Sequence, residues 1–229
     1  MRSTMFPDDT RKQRIQAGEM YSSLQVDVNF DGNQLKDAVG DGDYDYVYVD
    51  GQHTAFNETQ LAAFTGTAED MGLPVMFRIP HTRHTYLIGR YLDLGVSSIM
   101  VPEVETAEVA EEAIQFFYYP QVGRRSWGGA ARRGVRAHDN QVSRLEYAAW
   151  WNKTGVLGIQ IECVDAVLNV AEIARPGIDY VSFGPNDLQF SLEATPDSPF
   201  DTVDDCYKYV AEQLQGRDVA VATPTLTPS

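Results

Sequence analysis

The chain has 229 residues, of which 43% are hydrophobic, and 33 acidic against 18 basic residues give it a formal net charge of −15. This length can bury a large core, and the negative charge argues against binding to nucleic acid or to an anionic membrane. No apolar run is long enough to span a membrane, and the first residues lack a signal-peptide core, so we predict a cytoplasmic protein. Cys163 and Cys206 lack metal-site spacing and are expected to be reduced.

Short apolar runs alternate with amphipathic stretches along the chain. Strands are predicted within 17–26 and at 44–50, 74–80, 97–104, 155–162, 178–185 and 218–225. Helices are predicted at 58–72, 84–95, 106–119, 166–175 and 202–215. A strand about every 20–25 residues, with helices between, indicates βαβ units and a parallel sheet.

The predicted strands number seven, which is close to a (β/α)8 barrel of about 250 residues. The alternative is a doubly wound open sheet, but no glycine-rich phosphate loop follows the first strand. The strand ends favour the barrel, because chemically capable residues stand there in series: Asp50, Arg78, Glu103, Glu162 and the stretch 185–187. Each alone could be a solvated strand end, but a barrel gathers them at one face. We therefore predict an α/β, TIM-barrel-like fold.

A pair of carboxylates is the strongest candidate for a metal site. Gln160 and Glu162 share one strand face, since strand side chains repeat every two residues. Asp187 follows a Gly-Pro turn one βα unit later. Two carboxylates with waters and substrate oxygens suit Mg²⁺ or Mn²⁺, with Co²⁺ or Zn²⁺ as further options. Alternatively, Asp187 caps the turn that follows it.

Six blocks of the sequence resemble the HpcH/HpaI aldolases, the metal-dependent pyruvate aldolases, over about residues 11–225. They are YDYVYVDGQH (family pattern fDwlviDgEH), VMFRIP (vvRvp), YLDLGVSSIMVPEVETAEVAEEA (lLDlGaqgvmvPmVetaeeA), YPQVGRRSWGG (YPPlGrRgvgg), IQIE (vQIEt) and GIDYVSFGPNDLQFSL (GVDgvfiGPaDLsasl). The blocks stand in the family's order and spacing. The resemblance implies one barrel domain over 1–229 and carbon–carbon lyase chemistry.

The resemblance also implies roles for residues that match the patterns. Glu162 and Asp187 would be the protein ligands of the divalent metal. Gln160 and Arg78 would hold the 2-oxo acid, with Arg78 facing the oxygen on which enolate charge develops. Backbone N–H groups around Gly184, Pro185 and Asn186 would bind the carboxylate of the substrate.

Three further residues complete the expected site. His53, oriented by Asp50, would be the acid/base unit. Asp93 matches a family aspartate that reaches the site of the neighbouring subunit. Arg125 lies in an irregular basic loop, where it would bind an anionic end of the substrate or line a subunit contact; a salt bridge within the loop is the alternative.

Two departures from the family pattern affect these expectations. Gln52 replaces the glutamate of the D-x-E-H motif, which lies near the metal waters, so cation binding or the proton path could differ. The family pattern also continues into an eighth strand and a last helix that packs on a neighbouring subunit. The barrel is therefore expected to be incomplete or modified at its C-terminal end, with its edges covered in a homo-oligomer, a trimer or hexamer.

Three functions remain open from the sequence. The first is a metal-dependent aldolase that cleaves or forms a bond of a 4-hydroxy-2-oxo acid, with a 2-oxo acid and an aldehyde as partners. The second is oxaloacetate decarboxylation, or another enolate-forming reaction at the same site. The third is a non-catalytic protein that binds keto acids or serves in assembly. The retained site residues argue against the third, because a scaffold has no physical need for all of them.

Overall fold

The computed structural model describes residues 6–19, 21–136 and 141–222. In this part of the chain seven parallel strands form one sheet. The strands are β1 (Ser23–Gln25), β2 (Tyr46–Asp50), β3 (Val75–Arg78), β4 (Ser98–Val101), β5 (Val156–Ile161), β6 (Tyr180–Phe183) and β7 (Ala220–Val221). Each strand pairs with its sequence neighbours, so the order never reverses as it does in a doubly wound sheet. The predicted barrel-like fold, incomplete between β7 and β1, is confirmed.

Helices follow most of the strands. They are α1 (Arg11–Gln16), α2 (Gly32–Val39), α3 (Glu58–Asp70), α4 (Ile88–Asp93), α5 (Ala107–Phe117), α6 (Arg144–Thr154), α7 (Val164–Leu168), α8 (Val170–Ile173), α9 (Pro185–Ala194) and α10 (Val203–Gln213). The sequence analysis missed α1, α2, α6 and α9. The helix predicted at 84–95 is a 3₁₀ turn over Thr82–Leu87 followed by α4, and the one predicted at 166–175 is divided into α7 and α8.

Local capping explains where several helices begin. The Asp31 side chain accepts from the N–H of Gln34, whose own side chain accepts from the Asp31 N–H. Asn57 and Gln60 form the same reciprocal arrangement at the start of α3. Each capping box satisfies N–H groups that the first helical turn leaves without partners.

The last predicted strand, 218–225, shortens to β7, and its residues 223–225 lie outside the described part of the chain.

Alternating side chains divide the barrel into an interior and an outer core. The buried interior cluster consists of Ile15, Tyr46, Met76, Met100, Val156 and Tyr180. Intervening residues such as Val47, Phe77 and Ile159 pack under the helices. Space inside is tight, since a Cβ on Gly158 would lie 2.1 Å from Cζ of Tyr180. The apolar interior thus closes the barrel below the carboxyl ends of its strands, where the polar residues stand.

Candidate active site

A cavity of about 460 Å³ opens at the carboxyl ends of the strands. The segments that follow β3, β4, β5 and β6 line it. Its ionisable lining residues are His81, Arg83, Glu103, Glu105, Glu162, Cys163 and Asp187. The structure therefore brings Glu162 and Asp187 to one cavity, at the face where barrel enzymes carry their active sites.

Glu162 is the buried carboxylate of this cavity. It directly follows β5, and only 7% of the residue is exposed. Its Oε2 accepts the N–H of Glu103 at 2.7 Å, and a Cβ added to Gly184 would lie 1.9 Å from its Oε1. Burial raises the pKa of Glu162 to about 7 despite the Glu103 donor, and the nearby charges of Asp187 and Glu103 add to the rise.

Asp187 lies in the first turn of α9, which begins directly after β6. Gly184 is the N-cap residue and supplies no side-chain cap, so the first N–H groups of the helix remain open to an anion. Pro185 has no N–H, which leaves the backbone of Asn186 and Asp187 as donors. Within the described residues the Asp187 carboxylate accepts no hydrogen bond. It therefore does not cap the turn, which was the alternative reading of its sequence position.

Asp50 and Arg78 form a two-pronged ion pair at the ends of neighbouring strands. Their Cα atoms are partners in the β2–β3 register. Arg78 Nε donates to Asp50 Oδ1 at 2.9 Å and Nη2 donates to Oδ2 at 2.6 Å. Arg78 Nη1 also donates to Gln160 Oε1 at 3.3 Å. Burial opposes ionisation of Asp50, but the Arg78 hydrogen bonds hold its pKa below the ordinary value. Arg78 and Gln160, the two residues expected to hold the 2-oxo acid, are thus in contact with each other.

His53 is exposed on the loop after β2. Its backbone N–H lies 3.4 Å from Asp50 Oδ1, and the N–H of Gln52 donates to the same oxygen at 2.9 Å. In the ranges that the structure describes, the His53 imidazole makes no hydrogen bond. The expected pairing of Asp50 with that ring is therefore not formed. Asp50 instead fixes the main chain of the loop, because Arg78 occupies its carboxylate.

Comparison with known proteins identifies the family. A profile of the family described as HpcH/HpaI aldolase/citrate lyase matches residues 31–222. The chain belongs to this family. Its members include carbon–carbon lyases, and the predicted resemblance is confirmed. A crystal structure of an HpcH/HpaI aldolase from Desulfitobacterium hafniense superposes with a TM-score of 0.78 at 27% identity, covering 96% of this chain and 83% of that one.

Two relatives carry the same name, hydroxypyruvate/pyruvate aldolase. The Roseobacter denitrificans protein is 29% identical over 189 residues, which are 81% of this chain and 70% of the relative. The Deinococcus radiodurans protein is 36% identical over 151 residues, or 65% of this chain and 52% of the relative. The matched residues therefore span only 52% to 70% of the length of these HpcH/HpaI relatives.

Arg125 and Asp93 lie away from the HpcH/HpaI cavity. The Arg125 side chain is fully buried, and its Nη2 donates to Asp93 Oδ1 at 2.9 Å. Its guanidinium stacks over the rings of Tyr119 and Trp151, 4.6 and 4.8 Å from their centroids. Burial raises the pKa of Asp93, although Arg125 opposes that rise. In this chain the pair holds the basic loop to α4. The position of Arg125 does not fit the predicted contact with substrate.

The sequence analysis named Glu103 only as a strand-end residue and gave no role to His81, yet both line the cavity. Glu103 has a φ of +50°, and its carboxylate contacts Gln52 and His81. His81 had no family counterpart and was not singled out. Its position directly after β3 was the available signal, since Arg78 on the same strand was recognised as a strand-end residue.

The residues present fit the divalent cation that the family resemblance implies. Two carboxylates face one cavity, and Glu162 Oε1 accepts no hydrogen bond within the described ranges. That oxygen lies where a side chain at position 184 would otherwise be. No group of three or more His, Cys, Asp or Glu side chains suited to direct ligation occurs in residues 6–19, 21–136 and 141–222. A cation here would need further oxygen ligands from substrate and water, as Mg²⁺ commonly does.

The described helices also bear on membrane association. None of those within the three described ranges is long and apolar enough to cross a bilayer.

Proposed function

We propose that this chain is a divalent-cation-dependent aldolase that cleaves or forms the C–C bond of a 4-hydroxy-2-oxo acid through a pyruvate-type enolate. One observation carries the proposal. The carboxylates of Glu162 and Asp187 line one cavity, and Arg78, which contacts Gln160, is close enough to Glu162 for its charge to act on that carboxylate. A cation held by carboxylates and a fixed positive group near the oxyanion both stabilise an enolate.

The chain's own residues would bind and orient the 2-oxo acid. Glu162 and Asp187 would hold the cation, which supplies Lewis-acid polarisation of the keto acid when bound. Arg78 would place its Nη1 donor at the developing enolate oxygen, and Gln160 would fix the direction of that donor. The uncapped N–H groups of Asn186 and Asp187 would receive the substrate carboxylate at the start of α9.

Proton transfer remains assigned to His53 in this proposal. The exposed imidazole stands at the end of the loop that Asp50 holds, and an imidazole exchanges protons readily near neutral pH. The loop geometry supports a fixed position for the His53 main chain, whereas its ring can turn toward a bound substrate. Apo geometry commonly tightens when substrate binds.

The names of the relatives support a pyruvate-type donor. Two relatives are named hydroxypyruvate/pyruvate aldolase, and an Escherichia coli relative that is 30% identical over 193 residues is named 2-keto-3-deoxy-L-rhamnonate aldolase. Both names are those of aldolases. We expect the loops around the cavity to select the aldehyde partner.

The test is exchange of the pyruvate methyl protons in D₂O, followed by NMR with Mg²⁺ and then with excess chelator. We expect exchange with Mg²⁺, loss of exchange with chelator, loss in Glu162→Gln and Asp187→Asn, and slower exchange in His53→Ala. Glu172→Gln is the matched control, because it removes one exposed carboxylate from α8, outside the cavity.

The other outcomes separate the alternatives. Exchange in pyruvate together with faster CO₂ release from oxaloacetate than aldol cleavage would favour the decarboxylase. Pyruvate binding without exchange under any added cation would contradict the enzyme proposal and favour a keto-acid-binding protein.

A further inference from the structure

Glu103 is held in a left-handed backbone conformation directly after β4, with a φ of +50°. A residue with a Cβ seldom adopts this conformation unless its surroundings hold it there. The Glu103 N–H donates to Glu162 Oε2 at 2.7 Å, and the next N–H, that of Val104, donates to the Gln160 carbonyl at 3.1 Å. Hydrogen bonds to Gln160, in β5, and to Glu162, directly after it, thus hold Glu103 in this conformation.

The Glu103 side chain is anchored as well. Gln52 Nε2 donates to Glu103 Oε1 at 3.1 Å, and His81 Nε2 lies 3.5 Å from Glu103 Oε2. The other ring nitrogen of His81 accepts the N–H of Arg83 at 3.0 Å, so the nitrogen that faces Glu103 is the one that carries the proton. One hydrogen bond, from Gln52, and the nearby ring of His81 therefore hold this carboxylate at the cavity from two different strand-end loops.

The amide at position 52 complements the carboxylate at position 103. Gln52 directs its nitrogen to Glu103 and leaves its Oε1 buried without a partner among the described residues. A glutamate at position 52 in the same rotamer would set a carboxylate oxygen against Glu103 at this 3.1 Å separation. Two carboxylates so close cannot both ionise readily. The carboxylate of Glu103 therefore explains why an amide, rather than a carboxylate, stands at position 52.

The family pattern has the opposite arrangement, with glutamate at the position of Gln52 and methionine at that of Glu103. We propose that Gln52 and Glu103 are a compensating pair, in which Glu103 supplies to the cation site the carboxylate that the family pattern carries at position 52. Gln52 is then a positioning residue that holds Glu103 in place.

The charges around the cavity support this role for Glu103. Four carboxylates line it, those of Glu103, Glu105, Glu162 and Asp187, while the guanidinium of Arg78 is engaged by Asp50. The negative charges of these carboxylates repel one another, and binding of a divalent cation relieves that repulsion. Because the described residues contain no three-ligand group, we place Glu103 outside the direct ligands. Its charge acts on the cation from the fixed position that Gln52 and Glu162 give it, and Glu105 lacks those contacts.

The inference rests on the cation-dependent function proposed above, and its test measures binding rather than turnover. Mn²⁺ is titrated calorimetrically into the full chain and into three variants. Glu103→Gln is expected to weaken Mn²⁺ binding about tenfold, the usual scale for residues that support metal ligands. The exchanged variant Gln52→Glu/Glu103→Gln is expected to bind within about threefold of the unsubstituted chain. It keeps one carboxylate and one amide in the same hydrogen bond.

Glu105→Gln is the matched control, because Glu105 lines the same cavity and loses the same charge without contacting Gln52. Equal weakening by Glu103→Gln and Glu105→Gln would overturn the proposal in favour of a general charge effect. Failure of the exchanged variant to recover binding, with its thermal unfolding unchanged, would overturn the compensation. Absence of Mn²⁺ binding to the unsubstituted chain would overturn the cation-dependent function and this inference with it.

Discussion

Arg78 donates two hydrogen bonds, of 2.9 and 2.6 Å, to Asp50, its partner on the neighbouring strand β2. This pairing changes what each residue is free to do. Asp50 cannot also orient an imidazole, and Arg78 is held rigidly with Nη1 turned to Gln160. The ion pair thus pre-sets the guanidinium for an oxyanion, so no reorganisation is needed when charge develops there.

Replacing Arg78 with lysine tests this arrangement. Lysine keeps the charge but cannot reproduce the planar fork that binds Asp50 and Gln160. We expect kcat/KM for the 2-oxo acid to fall about 100-fold, the scale observed when one oxyanion donor is removed. Mn²⁺ affinity, measured by titration calorimetry, should stay unchanged because Glu162 and Asp187 are retained. Unchanged kcat/KM in the lysine variant would contradict the role given to the fork.

The pKa of Glu162, which burial raises to about 7, predicts a pH dependence for cation binding. The protonated carboxyl is a poor ligand, so Mn²⁺ affinity should rise with pH and level off above about pH 7. Titrations between pH 5.5 and 8.5, about 1.5 units on either side of that pKa, measure the profile. An affinity independent of pH over this range would contradict Glu162 as a ligand.

The same shift has the opposite consequence for the stability of the cation-free protein. The folded pKa lies above the ordinary value of 4.5, so the folded state binds more protons between those two values. Stability should therefore be greatest below about pH 4.5 as far as this group is concerned, and fall by about 3 kcal/mol at most as pH rises to 7. Glu162→Gln should remove this part of the pH dependence in urea unfolding experiments.

Gly184 is predicted to be indispensable to the geometry of Glu162. Gly184→Ala would place a methyl group 1.9 Å from Glu162 Oε1, and the carboxylate would have to move. We expect Mn²⁺ affinity to fall at least about tenfold while the fold is retained. Gly32→Ala is the control, because its Cβ would meet the nearest atom, in Thr67, at 3.6 Å, an ordinary contact. Normal Mn²⁺ affinity in Gly184→Ala would show that Glu162 is not held where the structure has it.

Much of the fold followed from periodicity, because buried strands such as 155–162 are apolar over their whole length. The missed helices lacked such a signal: α9 starts inside a motif that drew attention as a binding turn, and α6 has no pronounced apolar face. Element boundaries also shifted by a few residues. The helix predicted at 84–95 begins with a 3₁₀ turn because the His81 side chain caps the N–H of Arg83.

The sequence likewise predicted some features of the site and not others. Residues at strand ends, such as Glu162 and Arg78, could be placed from strand parity and family pattern. The partner of the Asp50 carboxylate could not be predicted, because two candidates follow it in the sequence: His53 after three positions and Arg78 after 28. The competition is decided by the β2–β3 register, which puts Arg78 directly opposite. The role of Glu103 depends on a positive φ, which a glutamate does not signal in sequence.

The last prediction concerns Arg125, whose side chain is fully buried against Tyr119 and Trp151. Arg125→Met should leave Asp93 half-buried and unpaired and remove the stacking of the guanidinium. Breaking a buried pair commonly costs about 3 kcal/mol, so we expect a clear drop in the urea midpoint. KM for the 2-oxo acid should not change, because the Arg125 side chain is fully buried and its guanidinium is engaged by Asp93, Tyr119 and Trp151. A raised KM with unchanged stability would instead return Arg125 to the substrate-binding role that its loop suggested.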